Sequence, residues 1–436
     1  MGVRRQVLAL VAGVGVALGS TVAFSATGEA AVACSSTVWA EGVTYTAGQQ
    51  VTYQSKLYQA LVTHTAYVGT GWNPAATPTL WKDLGACSGG TSPTSSPTAS
   101  PTASPTASPT ASPGPTTSPV GCATRGRPAG KVLQGYWENW DGASNGVHPG
   151  MGWIPINDSR ITQHGYNVLM AAFPVIRSDG TVLWENGMDA GVKVPTAAEI
   201  CAAKSQGATV LMSIGGAAAG IDLSSSAVAD KFVSTLVPIL KANNFDGIDI
   251  DIETGLSGSG NINTLSTSQA NLIRIIDGVL AAMPSNFGLT MAPETAYVTG
   301  GSVTYGSIWG SYLPIIKKYL DNNRLWWLNM QYYNGSMYGC SGDSYSAGAV
   351  QGFTVQTQCL NNGLTIQGTT IKIPYDKQVP GLPAQSGAGG GYLAPSLVTQ
   401  AYNSVPGIKG LMTWSINWDG SKSWTFGDNV RSLQGR

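Results

Sequence analysis

This 436-residue chain has little charge, almost no histidine and, past its first two dozen residues, no long apolar run. Charged residues make up 11% of it, against about 25% in an average soluble domain, and 23 basic side chains balance 23 acidic ones. A nucleic-acid binder needs a basic surface to displace counterions from phosphates, so that class is excluded. A disordered polyelectrolyte is excluded as well. The three histidines, His64, His148 and His164, lie far apart and match no metal-ligand spacing, which argues against a zinc site or a histidine-based triad. No stretch after residue 24 is long enough to span a bilayer. In place of charge stand 56 Gly, 13 Trp and 17 Tyr among many Ser, Thr and Asn, a composition that can hydrogen-bond and stack on neutral ligands such as sugars. Chemistry therefore falls to carboxylates and aromatics, and neither a metal nor a cofactor is expected.

The chain reads as four segments. Arg4 and Arg5, the apolar run from Val7 to Phe24 and the small residues Ala31-Val32-Ala33 form an export signal over 1–33, so the mature protein is expected outside the cell and off the membrane. Cys34 follows at once; a lipid-anchor site there would usually have Leu where Ala31 stands. An exported chain meets an oxidising environment, and its six cysteines are even in number and lack CxxC spacing, so disulfides are the default. Cys34 and Cys87 bracket one compact segment, Cys340 and Cys359 bracket one Gly/Ser/Gln-rich segment, and Cys122 with Cys201 is the pair that remains. Residues 88–121 repeat Thr-Ala-Ser-Pro; with nothing apolar to bury they form an extended tether reaching on the order of 100 Å at about 3.1 Å per residue. It separates a segment over 34–87 from a large domain over 122–436.

The 34–87 segment reads as short strands, including Val51-Thr52-Tyr53 and Leu57 to Val62, with Gly48, Gly69 and Gly71 as turns. Its series Trp39, Tyr45-Thr46-Ala47-Gly48, Val51-Thr52-Tyr53, Leu57-Tyr58-Gln59-Ala60 and Pro78-Thr79-Leu80-Trp81 resembles the small chitin-binding modules of carbohydrate-binding families 5 and 12. Trp39 and Trp81 fall in strand patterns and read as core. Tyr67 and Trp72, among Gly, Thr and Asn, are the candidates to stack on sugar rings.

In 122–436, eight apolar runs recur with helical stretches between: Val132 to Tyr136, Val168 to Val175, Val210 to Ile214, Ile248 to Glu253, Leu289 to Glu294, Leu325 to Tyr333, Gln378 to Leu382 and Ile408 to Ile416. Their number points to an α/β fold, a (β/α)8 TIM barrel of eight parallel strands, with an open parallel sheet as the alternative. The fourth run is unusual. Strand side chains alternate between faces, so Asp249, Asp251 and Glu253 share one face and Ile248, Ile250 and Ile252 the other. A parallel strand buried on both faces should be almost wholly Val, Ile and Leu, and lining it with carboxylates costs several kcal/mol in desolvation and repulsion. Such crowding keeps a proton in place, and Glu253, furthest toward the active mouth of the barrel, is the candidate general acid.

The string Asp246-Gly247-Ile248-Asp249-Ile250-Asp251-Ile252-Glu253 matches the D-x-x-D-x-D-x-E signature of family 18 glycoside hydrolases, and the domain resembles the chitinases of that family, as a secreted bacterial member. Ser213-Ile214-Gly215-Gly216, Met291-Ala292-Pro293-Glu294, Met330-Gln331-Tyr332-Tyr333-Asn334 and Met412-Thr413-Trp414-Ser415 resemble its third, fifth, sixth and eighth strand ends. The resemblance implies an anomer-retaining reaction in which the substrate's own N-acetyl oxygen is the nucleophile. It casts Glu253 as the acid, Asp251 as the group orienting the acetamide, Asp249 as sharing a proton with Asp251, Tyr333 as a donor to the acetamido oxygen and Trp414 as the floor under the sugar. Tyr136, Phe173, Met291, Gln331, Asn334 and Glu294 sit at strand ends as further substrate contacts. Tyr332 is the alternative to Tyr333. The expected partners are chitin and N-acetylglucosamine oligomers, acted on by a monomer. An endo-β-N-acetylglucosaminidase acting on N-glycans and a non-catalytic lectin of the same fold remain the alternatives. Strands seven and eight are joined by about 24 residues, room for a loop and one helix beginning near Ala394 but for no inserted domain, so an open groove and endo action are expected.

Overall fold

A computed structural model describes residues 37–40, 43–61, 64–66, 73–75, 77, 80–87, 121–142, 148, 151–217 and 220–436. The export signal, Cys34, nearly all of the tether, Tyr67 and Trp72 lie outside the described residues. Two compact units, Met1–Pro105 and Thr106–Arg436, divide within the Thr-Ala-Ser-Pro repeats.

In the smaller unit, Gln50–Tyr53, Lys56–Ala60 and Trp81–Ala86 form an antiparallel sheet. Its first hairpin turns on Gln54 and Ser55, both at positive φ (46° and 60°), the backbone twist that a two-residue hairpin requires. Tyr45, Val51, Tyr58, Ala60, Ala66 and Trp81 make the core. Trp81 is buried there with its ring edge-on to Tyr45 at 5.0 Å, whereas Trp39 is only half-buried, its ring edge-on to Tyr53 at 5.1 Å. Cys87 is disulfide-bonded.

The larger unit is a (β/α)8 barrel. Its strands are β1 (Val132–Glu138), β2 (Val168–Ala172), β3 (Thr209–Gly215), β4 (Gly247–Asp251), β5 (Gly288–Met291), β6 (Trp327–Leu328), β7 (Gly381–Pro383) and β8 (Gly410–Trp414). All pair in parallel, β6-β5-β4-β3-β2-β1-β8-β7, and the bridges Leu328 to Gln378 and Gln331 to Gly381 bring β6 against β7 and close the ring. Helices between them start where the sequence supplies caps: Thr196 with Glu199 and Ser266 with Gln269 form capping boxes, and the Ser225 side chain accepts from Val228 N. Two apolar layers result. Ile248, Ile250, Ile252, Leu289, Met291, Met330 and Tyr332 face outward into the layer under the helices, while Tyr136, Met170, Leu211, Ala292, Trp327, Tyr333 and Met412 fill the barrel.

Several runs differ from expectation in their bounds, three of them in ways that bear on the site. The second ends at Ala172, after which Val175–Ile176 turns away to pair with Val182–Leu183. The fourth stops at Asp251, so Glu253 sits just past the strand. The sixth is regular only over Trp327–Leu328, continuing to Gln331 by single bridges to Glu294 and Gly381. Cys122–Cys201 and Cys340–Cys359 are bonded, with Cα separations of 5.7 and 5.3 Å. No helix among the described residues is long and apolar enough to cross a membrane.

Candidate active site

The carboxylates of the β4 motif occupy successive levels of the barrel. Asp246, before β4, lies at its base: Lys204 Nζ approaches Oδ1 at 2.6 Å, and Arg125 N and Val210 N donate at 2.7 and 2.9 Å. Its role is structural. Asp249 comes next, fully buried, and accepts four hydrogen bonds: Tyr136 Oη at 2.6 Å and Ser213 Oγ at 2.8 Å on Oδ2, Thr290 Oγ1 at 2.6 Å and Asn329 Nδ2 at 3.0 Å on Oδ1. Register explains the first neighbours, because Ser213 and Thr290 are the pairing partners of Asp249 in β3 and β5. Burial pushes the Asp249 carboxyl up, and these donors pull it back.

Asp251 and Glu253 form the upper pair. Gln331 Nε2 donates to Asp251 Oδ1 at 3.0 Å, to Glu253 Oε1 at 3.1 Å and to Ala292 O at 3.0 Å, so one amide holds both carboxyls in one place. Burial holds Asp251 well above the ordinary carboxylate range, reinforced by the charges of Glu253 and Asp249. Burial also raises Glu253, and the charge of Glu294 adds to it. The interaction between the two side chains raises Asp251 and lowers Glu253. Asp249, whose oxygens already accept from four donors, acts on Asp251 through its charge.

The glycines of Ser213-Ile214-Gly215-Gly216 make this approach possible. A Cβ on Gly215 (φ 117°) would stand 2.0 Å from Asp251 O, and one on Gly216 would stand 2.9 Å from the Phe173 ring. At the mouth, Trp414 is stacked with Phe173 at 5.9 Å and 15°, and tilted against Tyr136 at 5.5 Å and Trp140 at 6.0 Å. Tyr333 reaches the same space, its hydroxyl pushed far up by burial and by the charges of Asp251 and Glu253. Tyr332 points the opposite way, with its hydroxyl by Thr357 Oγ1 at 3.1 Å and its ring on Phe353, and so drops out as the alternative. Glu294 is half-buried beside Glu253, with its carboxyl raised by burial.

These arrangements decide the family. The sequence model of glycosyl hydrolases family 18 matches residues 132–339, and that of carbohydrate-binding module family 5/12 matches 38–82. The chain is 81% identical over 309 residues to Endochitinase 37 of Trichoderma harzianum, covering 71% of this chain and 92% of that one. The chain belongs to glycosyl hydrolase family 18. Chitinase Chi52 of Paenibacillus xylanexedens is 31% identical over 480 residues, covering 87% of this chain and 88% of that one. A family 18 chitinase from Chromobacterium violaceum superposes with a TM-score of 0.61 at 30% identity, covering 92% of this chain and 99% of that one. Its relatives thus include fungal as well as bacterial proteins.

In this glycoside hydrolase, one anticipated contact is overturned and three others take different partners. Met291 faces outward between Ile250 and Leu328, its pairing partners, and is buried under the helices, so it lines no site. Tyr136 is fully buried with its hydroxyl on Asp249, and Gln331 spends its amide hydrogens on the two carboxyls and Ala292 O. Asn334, at φ 64°, clasps the glycine-rich loop after β7: Asn334 N donates to Gly390 O at 2.9 Å and Gly390 N to Asn334 Oδ1 at 2.8 Å. Glu294 and Tyr333 lie near enough to Glu253 for charge to act between them, while Phe173 and Trp414 stack on each other beside Tyr136. Thr290 and Asn329 are the partners that sequence reasoning missed; each lies an even number of residues from an inward-facing neighbour, but that parity is visible only once the register is known.

Proposed function

We propose that this enzyme hydrolyses β-1,4 bonds between N-acetylglucosamine units of chitin with retention of configuration. The observation that carries the reading is the buried pair Asp251 and Glu253, two carboxyls clamped by one amide with Asp249 behind them. So crowded a pair keeps one proton, and when a substrate acetamide takes Asp251 as its hydrogen-bond acceptor that proton passes to Glu253. Glu253 gives it to the glycosidic oxygen as the C1–O bond breaks, and the acetamido oxygen closes on C1. Asp251, now ionised, stabilises the oxazolinium ion; Tyr333 donates to the acetamido oxygen, and Trp414 supports the distorted ring. Water then opens the ion, returning its proton to Glu253.

Between β7 and β8 the chain has a loop and the helix Pro395–Ser404, and no inserted domain. That connection raises no wall, which favours an open groove and endo action by a monomer. The 34–87 module, using Tyr67 and Trp72, would hold the enzyme on solid chitin through the 88–121 tether, after export directed by residues 1–33. The name of the Trichoderma relative is in keeping with endo action. Two measurements on one digest test the reading: fresh product followed by NMR should be the β anomer, and the viscosity of a soluble chitin derivative should fall well before reducing ends accumulate. An initial α anomer eliminates acetamide participation, and slow viscosity loss with dimer as the main early product eliminates the open groove.

A further inference from the structure

A second buried acid stands at the mouth of the barrel, outside the chemistry described above. Glu138 ends β1 fully buried, and its carboxylate joins two segments far apart in sequence. On one side Ser415 Oγ donates to Glu138 Oε1 at 2.5 Å; on the other, His148 Nε2 meets Glu138 Oε2 at 2.5 Å. His148 is fully buried too, and its Nδ1 lies 2.7 Å from Met151 O.

Hydrogen-bond chemistry fixes where the protons lie. A carbonyl only accepts, so Nδ1 of His148 carries a hydrogen. Ser415 Oγ accepts from Trp418 N at 3.2 Å and is left to donate to Glu138. One further proton must sit between Nε2 and Oε2, since two lone pairs would otherwise face each other at that distance. Wherever it rests along the bond, the pair as a whole is neutral. Burial pulls His148 down, but the bond to Glu138, the charge of Glu138 and the Met151 carbonyl together raise it above the ordinary histidine value.

The pair touches the aromatic floor through the backbone. Ser415 follows Trp414 directly, and the backbone there is pinned from both flanks: Ala384 N donates to Trp414 O at 2.9 Å, and Glu138 holds Ser415. Asn417 Oδ1 accepts from Glu138 N at 3.0 Å, and Trp418 lies edge-on to the His148 ring at 6.0 Å. Gly142 makes room, because a Cβ there would stand 2.1 Å from His148 Nε2.

We propose that His148 and Glu138 are positioning residues that fix Trp414 for sugar binding without touching the sugar. The proposal rests on Trp414 being the floor of the sugar site, as the proposed function has it. His148 keeps the Glu138 charge compensated in a dry site; without it, the lone carboxylate draws in water or shifts, Ser415 is released and Trp414 loses its setting. Because the floor contacts the sugar in the ground state and in the transition state alike, the loss falls mainly on KM.

The test uses the full chain and soluble N-acetylglucosamine hexamer. His148→Ala should raise KM about tenfold while kcat stays within about threefold. The double variant His148→Ala, Glu138→Gln removes the stranded charge but keeps an oxygen to accept from Ser415, and should bring KM back toward the original. Should His148→Ala fail to fold, Ser415→Ala, which cuts the link and leaves the pair intact, should raise KM in the same way. Unchanged KM in whichever of these single variants folds, or a double variant no better than His148→Ala, overturns the assignment. Failure of the unaltered chain to cleave the hexamer overturns the proposed substrate, and this assignment with it.

Discussion

The β4 motif places an aspartate at each end of the barrel, and the two ends treat a buried carboxyl in opposite ways. At the base, Asp246 is matched by a lysine and two backbone N–H groups. At the mouth, Asp251 and Glu253 are matched chiefly by each other and by one neutral amide, and among the described residues no cation pairs with either. Burial raises the Asp246 carboxyl too, but Lys204 and the two N–H groups pull it back, and a carboxyl so compensated supports the fold. An uncompensated pair costs stability and retains a proton that chemistry can use. Four residues of sequence, Gly247 to Ile250, separate the supporting role from the reactive one.

The largest expected effect tests the reactive end. Glu253→Gln keeps the shape but removes the transferable proton, and hydrolysis of N-acetylglucosamine oligomers should drop by roughly a hundredfold to ten-thousandfold. Near-normal turnover would mean that the acid is another group.

Next come substitutions of opposite sign at the two ends. Lys204→Met strands the Asp246 charge and should lower unfolding free energy by about 3–5 kcal/mol in denaturant titrations, with kcat little changed in the folded fraction. Asp251→Asn should abolish most activity yet leave stability at neutral pH equal or higher. The pH dependence has the same origin. Asp251 and Glu253 have folded-state values above their ordinary ones, so in the window between them the folded chain binds more protons than the unfolded chain. Their contribution to stability is present at low pH and is lost as pH rises through the folded values. Asp251→Asn should flatten that decline; a steeper decline would contradict the shared proton.

A smaller effect is expected from Glu294, whose charge raises the Glu253 carboxyl. Glu294→Gln removes that repulsion, so the Glu253 value falls and the alkaline limb of the kcat/KM profile should move to lower pH. Movement to higher pH would show that Glu294 acts through sugar contact rather than through charge.

The smallest effect on chemistry belongs to the module. Trp72→Ala with Tyr67→Ala should weaken adsorption to insoluble chitin by about tenfold or more while leaving oligomer cleavage unchanged. Equal adsorption would place the stacking face elsewhere.

Local order along the chain determined a good deal by itself. Eight apolar runs implied the barrel, and three carboxylates at a spacing of two implied a shared inward face, because strand side chains alternate whatever surrounds them. The cysteine brackets marked Cys340 with Cys359 and left Cys122 with Cys201. Parity on the other strands was not legible in the same way. Whether Met291 or Thr290, and Tyr332 or Tyr333, enters the barrel depends on register against neighbouring strands, and a slip of one residue exchanges the two faces. Only the closed barrel decided it, by setting Thr290 opposite Asp249. The partner of Asp251 was decided there too, since Gln331 arrives from another strand and holds it beside Glu253. His148 is the extreme case: a lone histidine with no spacing to read, brought to Glu138 by a loop and held there because two buried groups of opposite tendency satisfy each other only in three dimensions.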